Sequence, residues 1–146
     1  EAPAYIAWSS GNRSAVVRVP KHLTGKAYAN LKRLEFRAPD PSSNPYLVFA
    51  AVTAAGLDGI KKKMDPGEQV SEDIFKMTKS DRNKRGIGVL PKSLGEALDE
   101  LESDRKFLLP IYTNDVIDKV IELERRDQRE IAIRPHPHEF YLYFDV

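Results

Sequence analysis

Residues 33–47 read Arg33-Leu34-Glu35-Phe36-Arg37-Ala38-Pro39-Asp40-Pro41-Ser42-Ser43-Asn44-Pro45-Tyr46-Leu47. From Arg33 to Arg37 charge alternates with hydrocarbon, the period of a strand. Arg33, Glu35 and Arg37 therefore share one face, while Leu34 and Phe36 are expected to point into a core. Asp40 to Pro45 reads as a turn that opens a helix, with Asn44 as N-cap and Pro45 at the first helical position, where the missing N–H goes unused in any case. A charged strand face thus leads directly into a long helix.

That helix should run to about Lys63. Tyr46, Leu47, Phe49, Val52, Leu57 and Ile60 make it apolar nearly all round, which predicts a buried helix. The Lys61-Lys62-Lys63 run at its end complements the helix dipole, a plainer use of three cations than a nucleic-acid patch.

Toward the N-terminus, Ser14 to Val19 alternate around Val17 and Val19 and predict a second short strand. Toward the C-terminus, Asp65 to Lys92 is polar and rich in Gly and Lys, with Ile74, Phe75 and Met77 as isolated anchors, which predicts a long surface excursion. Ser93-Leu94-Gly95-Glu96 is a capping box opening an amphipathic helix with Leu94, Ala97, Leu98 and Leu101 on one side. Thr113 is expected to cap a further helix with Val116, Ile117, Val120, Ile121 and Leu123 on its apolar side. Pro137 to Val146 is too aromatic to be left in water and should dock on something. The class predicted is α+β, with short antiparallel strands followed by several helices.

The 146 residues are 41% hydrophobic, enough for one core. With 23 Lys and Arg against 22 Asp and Glu the net charge is +1, which gives no global field for steering onto nucleic acid. There is no cysteine, which excludes disulfides and thiolate chemistry and fits a reducing, cytoplasmic setting. No apolar run approaches the roughly 20 residues a membrane span needs. The chain opens at Glu1-Ala2-Pro3 without methionine and enters the apolar Ala4-Tyr5-Ile6-Ala7-Trp8 at once, which reads as a cut inside a larger protein.

Arg13, Arg18, Arg33 and Arg37 fall in or beside the two predicted strands. A guanidinium is permanently charged and forks onto carboxylate or phosphate oxygens, so four of them suggest an anionic ligand. Two readings stay open. A solvated face would hold exposed ion pairs worth about 0–1 kcal/mol each, whereas an enclosed face would need a bound anion to offset the excess charge. Glu35 is a hard oxygen donor of the kind Mg²⁺ takes, but it stands alone. His136-Pro137-His138 has no further ligand nearby to complete a transition-metal set, so helix-entry packing is its plainer reading. Gly-rich phosphate loops, dinucleotide fingerprints and His-Glu-x-x-His are absent.

Asn12-Arg13-Ser14-Ala15, Arg33-Leu34-Glu35-Phe36-Arg37 with Pro39-Asp40-Pro41, and Asn44-Pro45-Tyr46-Leu47 running into Ala55-Gly56-Leu57-Asp58-Gly59-Ile60-Lys61 resemble type I glutamine synthetase. The opening Glu1-Ala2-Pro3, the Ser93-to-Leu98 helix start and the Pro-His-Pro ending fit as well, so the resemblance spans the chain in order. It implies the C-terminal portion of that catalytic domain, with the N-terminal domain and the first part of the catalytic domain absent.

What the resemblance implies is specific. Such enzymes join ammonia to glutamate through a γ-glutamyl phosphate, using ATP and Mg²⁺ or Mn²⁺. Glu1 falls at the flap glutamate, which helps take a proton from bound ammonium. Arg13 matches the arginine on the transferred phosphoryl group, Arg18 and Arg33 match arginines near the ATP phosphates, Arg37 a contact to the glutamate carboxylate, and Glu35 a metal ligand. Most metal-binding glutamates and a histidine ligand of the family precede Glu1, so the chain alone is expected to be inactive. The family's sites form between subunits of two stacked hexameric rings, a dodecamer across which the C-terminal helix inserts. Phe75 falls near the tyrosine that some members adenylylate, which implies that this control is absent. Gly11 replaces a basic residue, and the Lys21–Lys32 loop is longer than in many relatives, so no adenine contact is assigned. Two other functions remain in view: a γ-glutamyl ligase acting on another amine, and, for the chain alone, a non-catalytic assembly module.

Overall fold

The computed structural model describes residues 3–20, 30 and 32–145. They form two compact units. One contains the residues up to Val52 together with Gly56–Leu90, and the other Thr53–Ala55 and the residues from Pro91 onward.

The first unit is built on a four-stranded sheet in the order β3-β2-β1-β4, with β1 at Tyr5–Ser9, β2 at Ala15–Arg18, β3 at Glu35–Phe36 and β4 at Gly88–Val89. The sheet is mixed. β2 pairs antiparallel with β3 through Val17–Phe36 and Arg18–Glu35, and β1 antiparallel with β4 through Tyr5–Val89 and Ile6–Gly88. The β1–β2 pair is parallel, with Tyr5 beside Ala15 and Ser9 beside Arg18, so the expectation of antiparallel strands holds for two of the three pairings. Only residues 10–14 carry the chain back from the end of β1 to the start of β2. Parallel neighbours ordinarily need a crossover of a dozen or more residues. Five extended residues reach about 17 Å, about the length of strand to be retraced, so this connector has almost no slack.

The core of this unit is Ala15, Val70, Ile74 and Ile87, with Tyr5, Ala7 and Met77 packed against it. Three of the four buried residues come from the segment expected to be a surface excursion, and that expectation is corrected. Val70 and Ile74 are four residues apart, but Ile87 lies thirteen further on, so no sustained periodicity announces the set. The segment folds from short pieces: a 3-10 turn at Ile74–Lys76 capped by Asp73, helix α2 at Lys79–Lys84 capped by Thr78, then β4. Trp8 donates its indole N–H to the carbonyl of Gly67 at 2.8 Å, and Gly67 has φ +71°, a left-handed turn suited to glycine. Tyr5 meets Phe75 edge to face at 5.4 Å and carries the Arg82 guanidinium over its ring at 4.9 Å. Arg85 forks onto Glu72 at 2.6 and 3.0 Å, and these hydrogen bonds hold the Glu72 carboxyl below the ordinary glutamate range.

Leu34 and Phe36 do not enter a core. Leu34 is 64% exposed and Phe36 is also exposed; β3 is a two-residue strand at the edge of the sheet. Helix α1, Pro45–Lys62, starts as expected: the Asn44 side chain accepts from the Tyr46 and Leu47 amides at 3.0 and 3.4 Å. The prediction of a buried helix is corrected, since Ala54 is its one buried residue and Tyr46 is 84% exposed. The helix closes with the Lys63 amide on the Ile60 carbonyl and the Met64 amide on that of Gly59, the paired bonds of a Schellman end. Lys63 holds φ +51° there. A side chain in that conformation costs roughly 1–2 kcal/mol, so Lys63→Gly should raise stability by up to about 1 kcal/mol after glycine's own entropy loss. Urea unfolding measures this, and a lower midpoint would show that the lysine is unstrained.

In the second unit α3, Leu94–Ser103, packs on α4, Asn114–Ala132. Leu98, Leu108, Ile117 and Ile121 are buried. The Ser93 hydroxyl accepts from the Glu96 amide at 3.1 Å, and Glu96 accepts from the Lys92 amide at 2.8 Å, the reciprocal arrangement a capping box predicts, shifted by one residue. Thr113 sits at the N-cap of α4 but makes no side-chain capping bond. Arg125 joins the helices by contacts to Asp99, to Glu102 at 3.2 Å and to the Gly95 carbonyl at 3.4 Å. The short helix α5, Pro137–Tyr143, is entered through His136, whose ring accepts from the His138 amide at 3.1 Å, the helix-entry role expected of the His-Pro-His sequence. Its aromatic residues are exposed. No helix among the described residues is long and apolar enough to cross a membrane.

Candidate anion-binding site

The β2–β3 pairing places Arg18 beside Glu35. One guanidinium nitrogen of Arg18 donates to both carboxylate oxygens, at 2.9 and 3.2 Å. Arg37, just past β3, is anchored by its amide on the Val16 carbonyl at 2.9 Å, and its guanidinium donates to the carbonyl of Arg13. Arg13 lies in the tight return before β2. Arg13, Arg18, Glu35 and Arg37 together line a cavity of about 480 Å³.

Three guanidinium groups face one carboxylate in this cavity. Arg18 and Glu35 keep 35% and 33% of their side chains exposed, so the site is half enclosed rather than a fully solvated face. The Nε of Arg18 is buried and has no hydrogen-bond partner among the described residues. Leaving such a donor unmade costs about 1–3 kcal/mol. Arg33 stands apart. It reaches Glu35 at 3.8 Å with 63% of its side chain exposed and does not line the cavity, so the solvated reading describes Arg33 and the enclosed reading describes the other three.

The donor set fits a phosphate or carboxylate directly. A divalent cation fits less completely, because Glu35 is the only carboxylate lining the cavity and no cluster of three or more His, Cys, Asp or Glu occurs among the described residues. This chain would offer Mg²⁺ or Mn²⁺ one ligand, with the others coming from phosphate oxygens or from residues beyond it. Glu1 lies outside the described residues, as does most of the Lys21–Lys32 loop.

Sequence reasoning singled out the charged residues and passed over those that hold them. Asn12 and Ser14 flank Arg13 and tie the return to the Val70–Ile74 segment. The available signal was local: an Asn two residues before a Ser favours an Asx-turn, in which the side-chain oxygen accepts from the amide two residues on, and Asn12 does so with Ser14 at 2.9 Å.

Comparison with known proteins supplies the context. Residues 1–143 match the family model for the glutamine synthetase catalytic domain. Glutamine synthetase of Sulfolobus acidocaldarius is 48% identical over 145 residues, covering 99% of this chain and 30% of that protein. The Streptomyces coelicolor enzyme is 44% identical over 149 residues, covering all of this chain and 31% of its own length. Among solved structures, a GmaS/ADP complex superposes with a TM-score of 0.80 at 28% identity, over 99% of this chain and 30% of that one. Glutamine synthetase of Plasmodium falciparum does so at 0.74 and 26%, over 97% and 34%. The chain therefore spans about 30% of the length of the relatives it matches, and over residues 1–143 it belongs to the glutamine synthetase catalytic-domain family.

Proposed function

We propose that the chain is the C-terminal portion of a glutamine synthetase catalytic domain, whose whole enzyme ligates ammonia to glutamate through γ-glutamyl phosphate at the expense of ATP. The observation that carries this is the cavity in which Arg13, Arg18 and Arg37 face Glu35. A site of that composition suits an anion that gains charge as it reacts, because fixed cations stabilise the developing charge without having to reorganise. The GmaS structure is a complex with ADP, a ligand of the same phosphate chemistry.

In this reading Arg13 holds the phosphoryl group in transfer, Arg18 and the more exposed Arg33 steer the nucleotide phosphates, and Arg37 receives the glutamate carboxylate. Glu35 contributes one oxygen to Mg²⁺ or Mn²⁺, and the ion, when bound, neutralises phosphate charge and polarises the phosphorus centre. Glu1 takes a proton from ammonium once the acyl phosphate is made. The exposed aromatic residues of α1 and α5 support assembly into the stacked rings of a dodecamer, and the absence of cysteine accords with a cytoplasmic enzyme.

The test is Mg²⁺-dependent glutamine formation from glutamate, ammonia and ATP, measured on the 146-residue chain and on the whole enzyme in parallel. Turnover by the whole enzyme alone is the expected result. Turnover by the chain alone would show that it lacks no essential ligand, and turnover by neither would remove the functional assignment.

A further inference from the structure

Asn12 uses the whole hydrogen-bonding capacity of its side chain. Its Nδ2 donates to the carbonyls of Val70 at 3.0 Å and Glu72 at 2.5 Å. Its Oδ1 accepts from the amide and the hydroxyl of Ser14 at 2.9 and 2.6 Å. Two donors and two acceptor sites are what an amide side chain possesses. Ser14 extends the set: its hydroxyl oxygen accepts from the Ile74 amide at 3.1 Å, a buried bond. On the other side, the Asn12 amide donates to the Ser9 hydroxyl at 3.3 Å. Arg13 is therefore flanked by two residues, both fastened to the segment that carries core residues Val70 and Ile74.

The consequence reaches a second arginine. The carbonyl of Arg13 receives the Arg37 guanidinium, so wherever the 10–14 return places the Arg13 peptide, the Arg37 head group follows. A five-residue connector between parallel strands has little slack with which to correct an error.

We propose that Asn12 is the positioning residue of the arginine site: by clamping the return onto the Val70–Ile74 segment it sets the place of Arg13 and, through the Arg13 carbonyl, that of Arg37. This rests on the functional reading above insofar as the arginines serve phosphoryl transfer. Asn12 touches no reacting atom in this scheme. Its removal leaves every cation in the cavity, so ground-state attraction for ATP and glutamate persists while the alignment needed in the transition state is lost.

The test uses the whole enzyme. Asn12→Ala should lower kcat by about 10²-fold, the effect of an ångström-scale misplacement, and leave KM for ATP within about threefold. Ser14→Ala keeps the bonds from Asn12 to Val70 and Glu72 and should lose only about tenfold. A crystal structure of the Asn12→Ala enzyme should show Arg37 released from the Arg13 carbonyl with the Arg18–Glu35 pair intact, a change that lowered stability alone would not produce. Arginines that stay in place, or a KM that rises while kcat holds, would overturn the proposal. If Asn12→Ala does not fold, the same readouts on Asn12→Asp decide, since it loses the donors to Val70 and Glu72 and keeps the acceptor for Ser14; unchanged kcat and arginine positions there refute the clamp. If the unmutated enzyme makes no glutamine, the functional reading falls by itself, and the arginine positions in the variant crystal still settle the role of Asn12.

Discussion

Arg13→Ala in the whole enzyme is expected to lower glutamine formation by at least about 10²–10³-fold, the range seen when one preorganised charge-stabilising donor is removed. Glu35→Ala should be at least as severe. It removes the one carboxylate that lines the cavity among the described residues and takes from Arg18 the partner that holds it at 2.9 Å. Both variants should assemble normally, because neither side chain belongs to the packed cluster of Ala15, Val70, Ile74 and Ile87. Arg33→Ala is the internal comparison. That residue is mostly exposed and outside the cavity, so its loss should raise KM for ATP more than it lowers kcat. Steady-state kinetics with size-exclusion chromatography reads all three, and near-normal turnover of Arg13→Ala or Glu35→Ala would refute the site.

The second large effect is on stability. Ile74 is fully buried at the point where the Ser14 hydroxyl meets its amide. Ile74→Ala deletes a core side chain with little around it able to collapse into the space, and should cost about 2–5 kcal/mol. Against a typical domain stability of about 5–15 kcal/mol that is enough to unfold a substantial fraction. Phe75→Ala, one residue on, removes a larger but exposed ring and should cost less than half as much. Urea unfolding of the two variants decides the matter, and equal losses would mean that the burial of Ile74 is not what holds the segment.

The elements legible in the sequence were those whose signals are local. Asn44 before Pro45 fixed the start of α1, Ser93 with Glu96 fixed that of α3, and the charge alternation from Arg33 to Arg37 marked the strand that carries Glu35, although its register beside Arg18 appears only in the fold. The misreadings concern information carried by distant partners. Val70, Ile74 and Ile87 are short apolar anchors in a polar stretch, and only β1 and β2 make them a core. Leu34 and Phe36 alternate correctly, but alternation says which residues share a face and not whether anything covers it. The same holds for α1, whose apolar circumference was read as burial although the residues described here leave Tyr46 and most of its surface exposed. In the site, permanently charged residues stood out, while the neutral pair Asn12 and Ser14 became visible only through the backbone groups they satisfy.

The strand order also dictates a sequence of events in folding. β1 forms bonds on both edges: on one side with β2, fewer than ten residues away, and on the other with β4, more than seventy residues further along. The nearer pairing closes a short loop, whereas the entropy of closing the farther one grows with the logarithm of the intervening length, and contacts of such separation slow folding. Until Gly88 and Val89 are synthesised, the free edge of β1 presents unpaired N–H and C=O groups, the kind of template on which chains associate wrongly. A nascent chain halted before residue 88 would carry that open edge together with an incomplete core, since Ile87 reaches its place only when β4 does.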